Sequence, residues 1–308
     1  AKYTAPIAPP PPPVNPGLLP RDSDRRLPDQ ATPGMIGVLD NGRIGTFDLL
    51  ITLVDLAARG YLTISPTLNP QEHSNGEHWA LTRTAKPATG LRTFEDALVA
   101  AVAPPGNTRT LDSLLADDAT MEAAAAALQH DADATDWFTP VAESQWGKVG
   151  SALVLLGLAL LATGIIIGLN TLPIPGIVGG ALITGSGLLI TTLAKMQRDH
   201  STTGRAAQEQ LSRYHEWLRG LGAHQLLPEN ASLIFNDCVA AALAFGDAEQ
   251  FAALYAQAYA RAAAWGTTST LNVDFSWMLG ATSPAHAVSE ASHFVSNGLT
   301  SARRYGLE

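Results

Sequence analysis

Cysteine is nearly missing from this chain, and charge is scarce. Cys238 is the one thiol in 308 residues, which excludes an internal disulfide and a cysteine-based zinc site. Alone, it reads as a small buried hydrophobe. Charged residues make up 15% of the chain and hydrophobic ones 46%; soluble domains carry roughly 25% charge, so part of the chain is expected in lipid. Basic residues are the scarcer sign, 19 against 28 acidic, for a net charge of −9. That balance argues against a surface built to hold phosphates. The chain has no initiator Met and no cleavable signal peptide at Ala1, so it reads as a fragment or processed form with an upstream segment missing.

Catalytic patterns are also lacking. The eight histidines are scattered, with no His-Glu-x-x-His and no pairing with cysteine at zinc spacing. No phosphate-cradling glycine loop with lysine occurs, and no Gly-x-Ser-x-Gly elbow. Pairs such as Glu95-Asp96 and Asp117-Asp118 point to different sides of a helix and read as solvated faces. The reading is therefore of a non-enzyme with no catalytic, cofactor-binding or metal-binding residues; whether it takes a small-molecule substrate is left open.

The longest absence is positional. Residues 149–194 contain no Asp, Glu, Lys, Arg or His, enough for two spans of about 20 residues each. The Asn170–Gly176 passage, with Pro173 and Pro175, breaks the run and invites a reversal. We expect a transmembrane helical hairpin with spans at 149–169 and 174–194. Lys148 precedes it, and Lys195, Arg198 and Arg205 follow it. The positive-inside rule then puts both ends of this chain in the cytoplasm of a multi-pass plasma-membrane protein. Gly176, Gly180, Ala181 and Gly185 have the small-xxx-small spacing that lets helices approach closely, within the hairpin or against a partner.

Before the hairpin, residues 1–34 are a proline-rich linker of extended polyproline type, a spacer or a ligand for an aromatic groove. Phe47, Leu50, Ile51 and Val54 recur at helical spacing up to Gly60; two strands joined by a polar turn follow, "YLTIS" and "HWALTR". Residues 35–86 thus read as a winged-helix-like module. Residues 87–148 read as a second helical, winged-helix-like module, with Leu91, Phe94, Leu98 and Val102 on one face and Thr110 as an N-cap. Over residues 1–148 there are 11 basic and 18 acidic residues, so phosphate-driven DNA binding is disfavoured.

After the hairpin, residues 195–266 read as a cytoplasmic helical domain, with Leu211, Tyr214, Leu218 and Leu221 on one stripe and Asp247 as an N-cap. Residues 267–308 read as a Ser/Thr-rich tail of loop or weak helix. Trp146, Trp265, Phe275 and Trp277 are candidate anchors at lipid headgroups or on a partner.

Three passages carry a family resemblance: "LLITLVDLAARGYLTI" at 49–64, "LRTFEDALVAAV" at 91–102 followed by the uncharged hairpin, and "LLPENASLIFNDCVAAALAFG" at 226–246. With them the chain resembles the bacterial predicted membrane proteins catalogued as domain of unknown function 2207, over residues 35–265. That resemblance implies a secretory signal, an extracytoplasmic domain and a further membrane helix ahead of the linker. It implies no activity and no catalytic residues. Members with a glycine-rich tail differ from this chain after residue 266.

The fold expected is a mainly α membrane protein: a two-helix transmembrane hairpin with winged-helix-like α+β modules before it and a helical domain after it. The function expected is a non-catalytic, membrane-anchored interaction protein, an accessory subunit of a larger bacterial envelope complex, partnered by lipid and other membrane proteins. The alternative is a membrane-tethered winged-helix regulator that binds nucleic acid.

Overall fold

A computed structural model describes residues 25–67, 78–102, 104–138, 200–264 and 271–307, with 149, 152–159, 183–186 and 188 from the apolar stretch. A single 3-10 turn, Pro33–Met35, leads into α1, Ile36–Asn41. Helix α2, Thr46–Ala58, starts where Gly45 N–H donates to Asp48 Oδ2 at 2.8 Å, half of a capping box. It stops at Gly60, whose φ of 82° suits glycine.

Strands β1 (Leu62–Thr67) and β2 (His78–Arg83) pair antiparallel, with Ile64 opposite Leu81. Leu62 and Ile64 alternate inward with the less buried Thr63 and Ser65, the period-two pattern of a half-buried strand. The polar turn expected between the strands lies outside the described residues. Helix α3 (Thr93–Val102) follows, then β3 (Thr108–Thr110), α4 (Leu111–Leu115) and α5 (Asp118–Asp133). β3 joins β2 antiparallel, so the sheet order is β1-β2-β3. Thr110 caps α4 by accepting from the Ser113 N–H.

Beyond the apolar stretch come α6 (Thr202–Arg219), α7 (Ala231–Ala244), α8 (Ala248–Ala264) and α9 (Pro284–Arg304). Segments on both sides of the stretch contribute to one hydrophobic core. Helix α2 is its axis. Its residues 48–58 are all buried, under the N-terminal turn, β1, α3, α7 and α9. The sequence pattern suggested a one-sided stripe. The other side is covered because Gly34 and Gly37 carry no side chains: a Cβ at Gly34 would overlap Thr52, and one at Gly37 would overlap the Asp48 carboxylate.

The C-terminal segment corrects the reading of loop or weak helix. α9 runs for 21 residues, with Ser283 accepting from the His286 N–H and Pro284 in the first turn. Ala287, Ala291, Phe294, Gly298 and Ala302 form its buried stripe, while Ser289, Ser296 and Thr300 face out. Those outward hydroxyls lower helix propensity and hide the stripe. Just before α9, the Ile64 N–H donates to Trp277 O at 2.7 Å and the Leu279 N–H to Ile64 O at 2.8 Å. This parallel bridge covers the free edge of β1.

The two expected spans lie largely outside the described residues. Among the described residues no helix is long and apolar enough to cross a membrane.

Candidate functional site

The first functional feature is the neck where the apolar stretch leaves and rejoins the folded domain. Trp137 is buried, and Phe138 pairs antiparallel with His200. The Ser201 N–H donates to Trp137 O at 2.9 Å, and the Ser201 hydroxyl to Asp136 O at 2.5 Å. Gly204 packs so tightly on the Trp137 carbonyl that a Cβ there would overlap it. His200 Nε2 donates to Leu39 O at 2.6 Å, and its ring leans on Phe138 with centroids 5.0 Å apart. The described residues on either side of 139–199 therefore meet at one point.

The described parts of that excursion are helical at 152–159 and 183–186. Leu155, Leu156, Leu158 and Leu188 are each at least half exposed. Gly157 is buried, and a Cβ on it would run into the Thr184 backbone. The two pieces are thus in close contact at a glycine that the small-residue reading did not single out. Gly185 faces open space; Gly176, Gly180 and Ala181 lie outside the described residues.

The second feature is a buried ion cluster built by the "AARGYL" passage. Arg59 Nη1 contacts Asp55 Oδ2 at 2.9 Å and Glu95 Oε1 at 2.6 Å, and Nη2 reaches Glu95 Oε2 at 3.3 Å. Glu95 is 1% exposed. Its Oε2 also accepts from the Arg92 N–H at 2.9 Å at the start of α3. Lys86 closes the outer side, donating to Arg59 O at 2.6 Å with its ammonium 4.4 Å from the Tyr61 ring centre. Burial raises the Asp55 carboxyl to about 6; Arg59 pulls it down, and the negative charges of Glu95 and Asp237 add to the rise. Asp48 is also raised to about 6 by burial, against the pull of the Gly45 N–H. Sequence reading assigned Arg59 no role. Its commitment to two carboxylates was signalled by nothing beyond the i,i+4 spacing to Asp55.

Two other arginines before the apolar stretch are similarly engaged. Arg92 holds Asp131 at 2.7 Å and the Gln30 carbonyl; Arg109 holds Asp117 at 3.0 Å and Ala101 O at 2.8 Å. Cys238 is buried under the Tyr214 hydroxyl at 3.6 Å, and burial pushes its thiol up to about 12, so it stays protonated. His215 is stacked on Phe245 and bonded to Asp247 at 2.6 Å. Among the described residues no group of three His, Cys, Asp or Glu is arranged to hold a metal.

Of the anchor candidates, Trp146 and Trp265 lie outside the described residues. Phe275 packs partly against the core. Trp277, expected at lipid or on a partner, is 3% exposed; its ring lies 6.4 Å from Phe235 and its N–H donates to Asn236 at 3.2 Å. It fixes the approach to α9 on the chain's own core, where an indole with a hydrogen-bond partner is well accommodated.

A mainly helical domain with a small antiparallel sheet, interrupted by an apolar excursion that starts and ends at one neck, defines the class. Within that class the chain belongs to the family described as Predicted membrane protein (DUF2207) C-terminal domain, matched over residues 21–254. No curated protein and no solved structure matches the chain.

Proposed function

We propose that this chain is a membrane-anchored interaction module. A transmembrane hairpin at 149–169 and 174–194 fixes a folded domain at the cytoplasmic face of a bacterial plasma membrane, as an accessory subunit of a larger envelope complex. The observation that carries the reading is the neck at Phe138 and His200. A hydrophobic core cannot straddle a bilayer, and this core takes residues from both flanks of the excursion. The two flanks must share a compartment, which demands an even number of crossings between them. The charge-free run is long enough for two, and the exposed leucines at 155, 156 and 158 suit lipid better than water. Lys148, Lys195, Arg198 and Arg205 favour the cytoplasmic side for the domain.

The interaction role draws support from the way the polar groups are used. Arg59, just past the C-terminal end of α2, is held by two carboxylates, and α2 residues 48–58 are all buried. A winged helix that reads DNA needs an accessible recognition helix and free cations, so the nucleic-acid alternative loses ground. Purification of the full chain from membranes in mild detergent, with mass spectrometry of co-eluting proteins, tests the reading. Stoichiometric membrane-protein partners are expected. A lone monomer that shifts labelled DNA in a salt-dependent way would overturn it.

A further inference from the structure

An open groove of about 420 Å³ runs between α6 and α7. Trp217, Leu233 and Ile234 supply its apolar lining over the buried Tyr214 and Cys238, Asn230 and Asp237 add polar groups, and Arg25, Arg26 and Leu27 line it as well. The volume is within the usual range for pockets that hold small ligands. Leu233 is 64% exposed there, on a helix that buries Ala231 and Phe235 on its other side. Tyr214 and Trp217 stand 5.6 Å apart at a tilt of 39°, the kind of aromatic pairing on which proline-rich extended segments dock.

The chain carries such a segment immediately upstream: residues 16–20 read Pro-Gly-Leu-Leu-Pro, and only residues 21–24 separate them from Arg25 in the groove. We propose that this groove is the docking site for residues 16–20 of the same chain, with Leu18 and Leu19 as anchors against Trp217, Leu233 and Ile234. Continuity decides the occupant. A tether this short gives the segment an effective concentration on the order of millimolar at the groove, which a separate partner of equal affinity would have to exceed. The groove also lies far from the neck: Trp217 is 16 residues beyond Ser201, about 24 Å along α6 at 1.5 Å per residue. That separation favours a peptide occupant over lipid headgroups. The docked segment fixes the direction in which the linker leaves the domain, so it sets how whatever precedes the linker is aimed. Only the exclusion of lipid headgroups rests on the membrane reading.

The test is site-specific photo-crosslinking on the full chain in mild detergent. A photoreactive side chain replaces Leu233, which is exposed in the groove and within reach of a docked segment, and the adducts are mapped by mass spectrometry. The expected product is an intrachain link to residues 16–20. Its yield should fall by on the order of tenfold in Leu18→Asp/Leu19→Asp, because both leucine contacts with Trp217, Leu233 and Ile234 are replaced by carboxylates that resist burial against apolar side chains. Links to a second copy, to lipid or to another protein, or no link at all, would each overturn the proposal, as would an intrachain link untouched by the two aspartates.

Discussion

Phe138 and His200 face one another across an antiparallel bridge, their rings 5.0 Å apart, at the two ends of residues 139–199. His200 is also fixed to the Leu39 carbonyl, so the neck is tied to α1 as well as to itself. Its closure predicts a topology. In a Cys238→Ala background, single cysteines at exposed Glu122 and Glu249, one on each flank, should react with a membrane-impermeant maleimide from one and the same side, the cytoplasmic side under the proposed function. Labelling of the two positions from opposite sides would sink the two-crossing arrangement. His200→Ala should loosen the neck without unfolding the domain, at a cost of about 1–2 kcal/mol for one hydrogen bond and one ring contact. Faster proteolysis near residue 138 would register it.

The cluster of Arg59, Asp55 and Glu95 gives a sharper energetic prediction. Arg59→Ala strands two carboxylates in the interior, and removing one partner of a buried pair costs about 3–5 kcal/mol. Arg59→Lys should recover only part of that, since an ammonium cannot make the two-pronged contact with Glu95. Chemical denaturation of the detergent-solubilised protein checks both. Full rescue by lysine would mean that charge alone matters there. The double variant Arg59→Met/Glu95→Leu should be more stable than Arg59→Ala, because it leaves one fewer unpaired buried charge.

Why was this cluster so little legible in the sequence? Asp48, Thr52, Asp55 and Arg59 recur at 4, 3 and 4 residues, which is how the wet face of a surface helix looks. What buries that face is distant in sequence: the Gly34 and Gly37 turn on one end and α7 on the other. Local signals fared better. The apolar repeat of α2, the stop at Gly60, the Thr110 cap and the hairpin of β1 and β2 are all written in neighbouring residues, and all are found. The groove's aromatic pair was half legible: Tyr214 belonged to the expected stripe of α6, but Trp217 drew no notice because its role depends on α7.

The raised carboxyls predict a pH dependence with a definite sign. Asp48 titrates near 6 when folded and near 3.8 when unfolded, mainly because burial disfavours its charge. Such a group stabilises the fold fully below its unfolded value, and that contribution is lost as pH rises through about 6. Asp55 acts in the same direction. Asp48→Asn keeps an oxygen for the Gly45 N–H and removes the buried charge. It should flatten the stability profile between pH 4 and 6.5 (roughly the window of the titration) and gain up to about 3 kcal/mol at pH 7. Unfolding midpoints across that range would decide it; an unchanged slope would mean that burial does not govern this carboxyl.

The final helix supplies the last prediction, and it turns on whether residues after 283 are appendage or core. Phe294 is fully buried and meets Trp79 edge-to-face at 5.7 Å, tying α9 to β2. Four residues on, Gly298 lies so close to the Leu50 methyls that an added Cβ would sit 2.8 Å from them. A tail with no structural role would tolerate both positions being changed. A core helix would not: Phe294→Ala should cost about 3–5 kcal/mol for the lost burial and the cavity left behind. Gly298→Leu should cost about 1–3 kcal/mol through overpacking against α2, despite leucine's better helix propensity. Gly298→Ala discriminates further. The clashing atoms are the ends of a flexible leucine, so the gain of about 1 kcal/mol in helix propensity offsets much of the crowding, and the net change should be small. If leucine at 298 were as harmless as alanine, α9 would not be seated on α2, and the edge of β1 would lose the strand that Trp277 and Leu279 lay beside it.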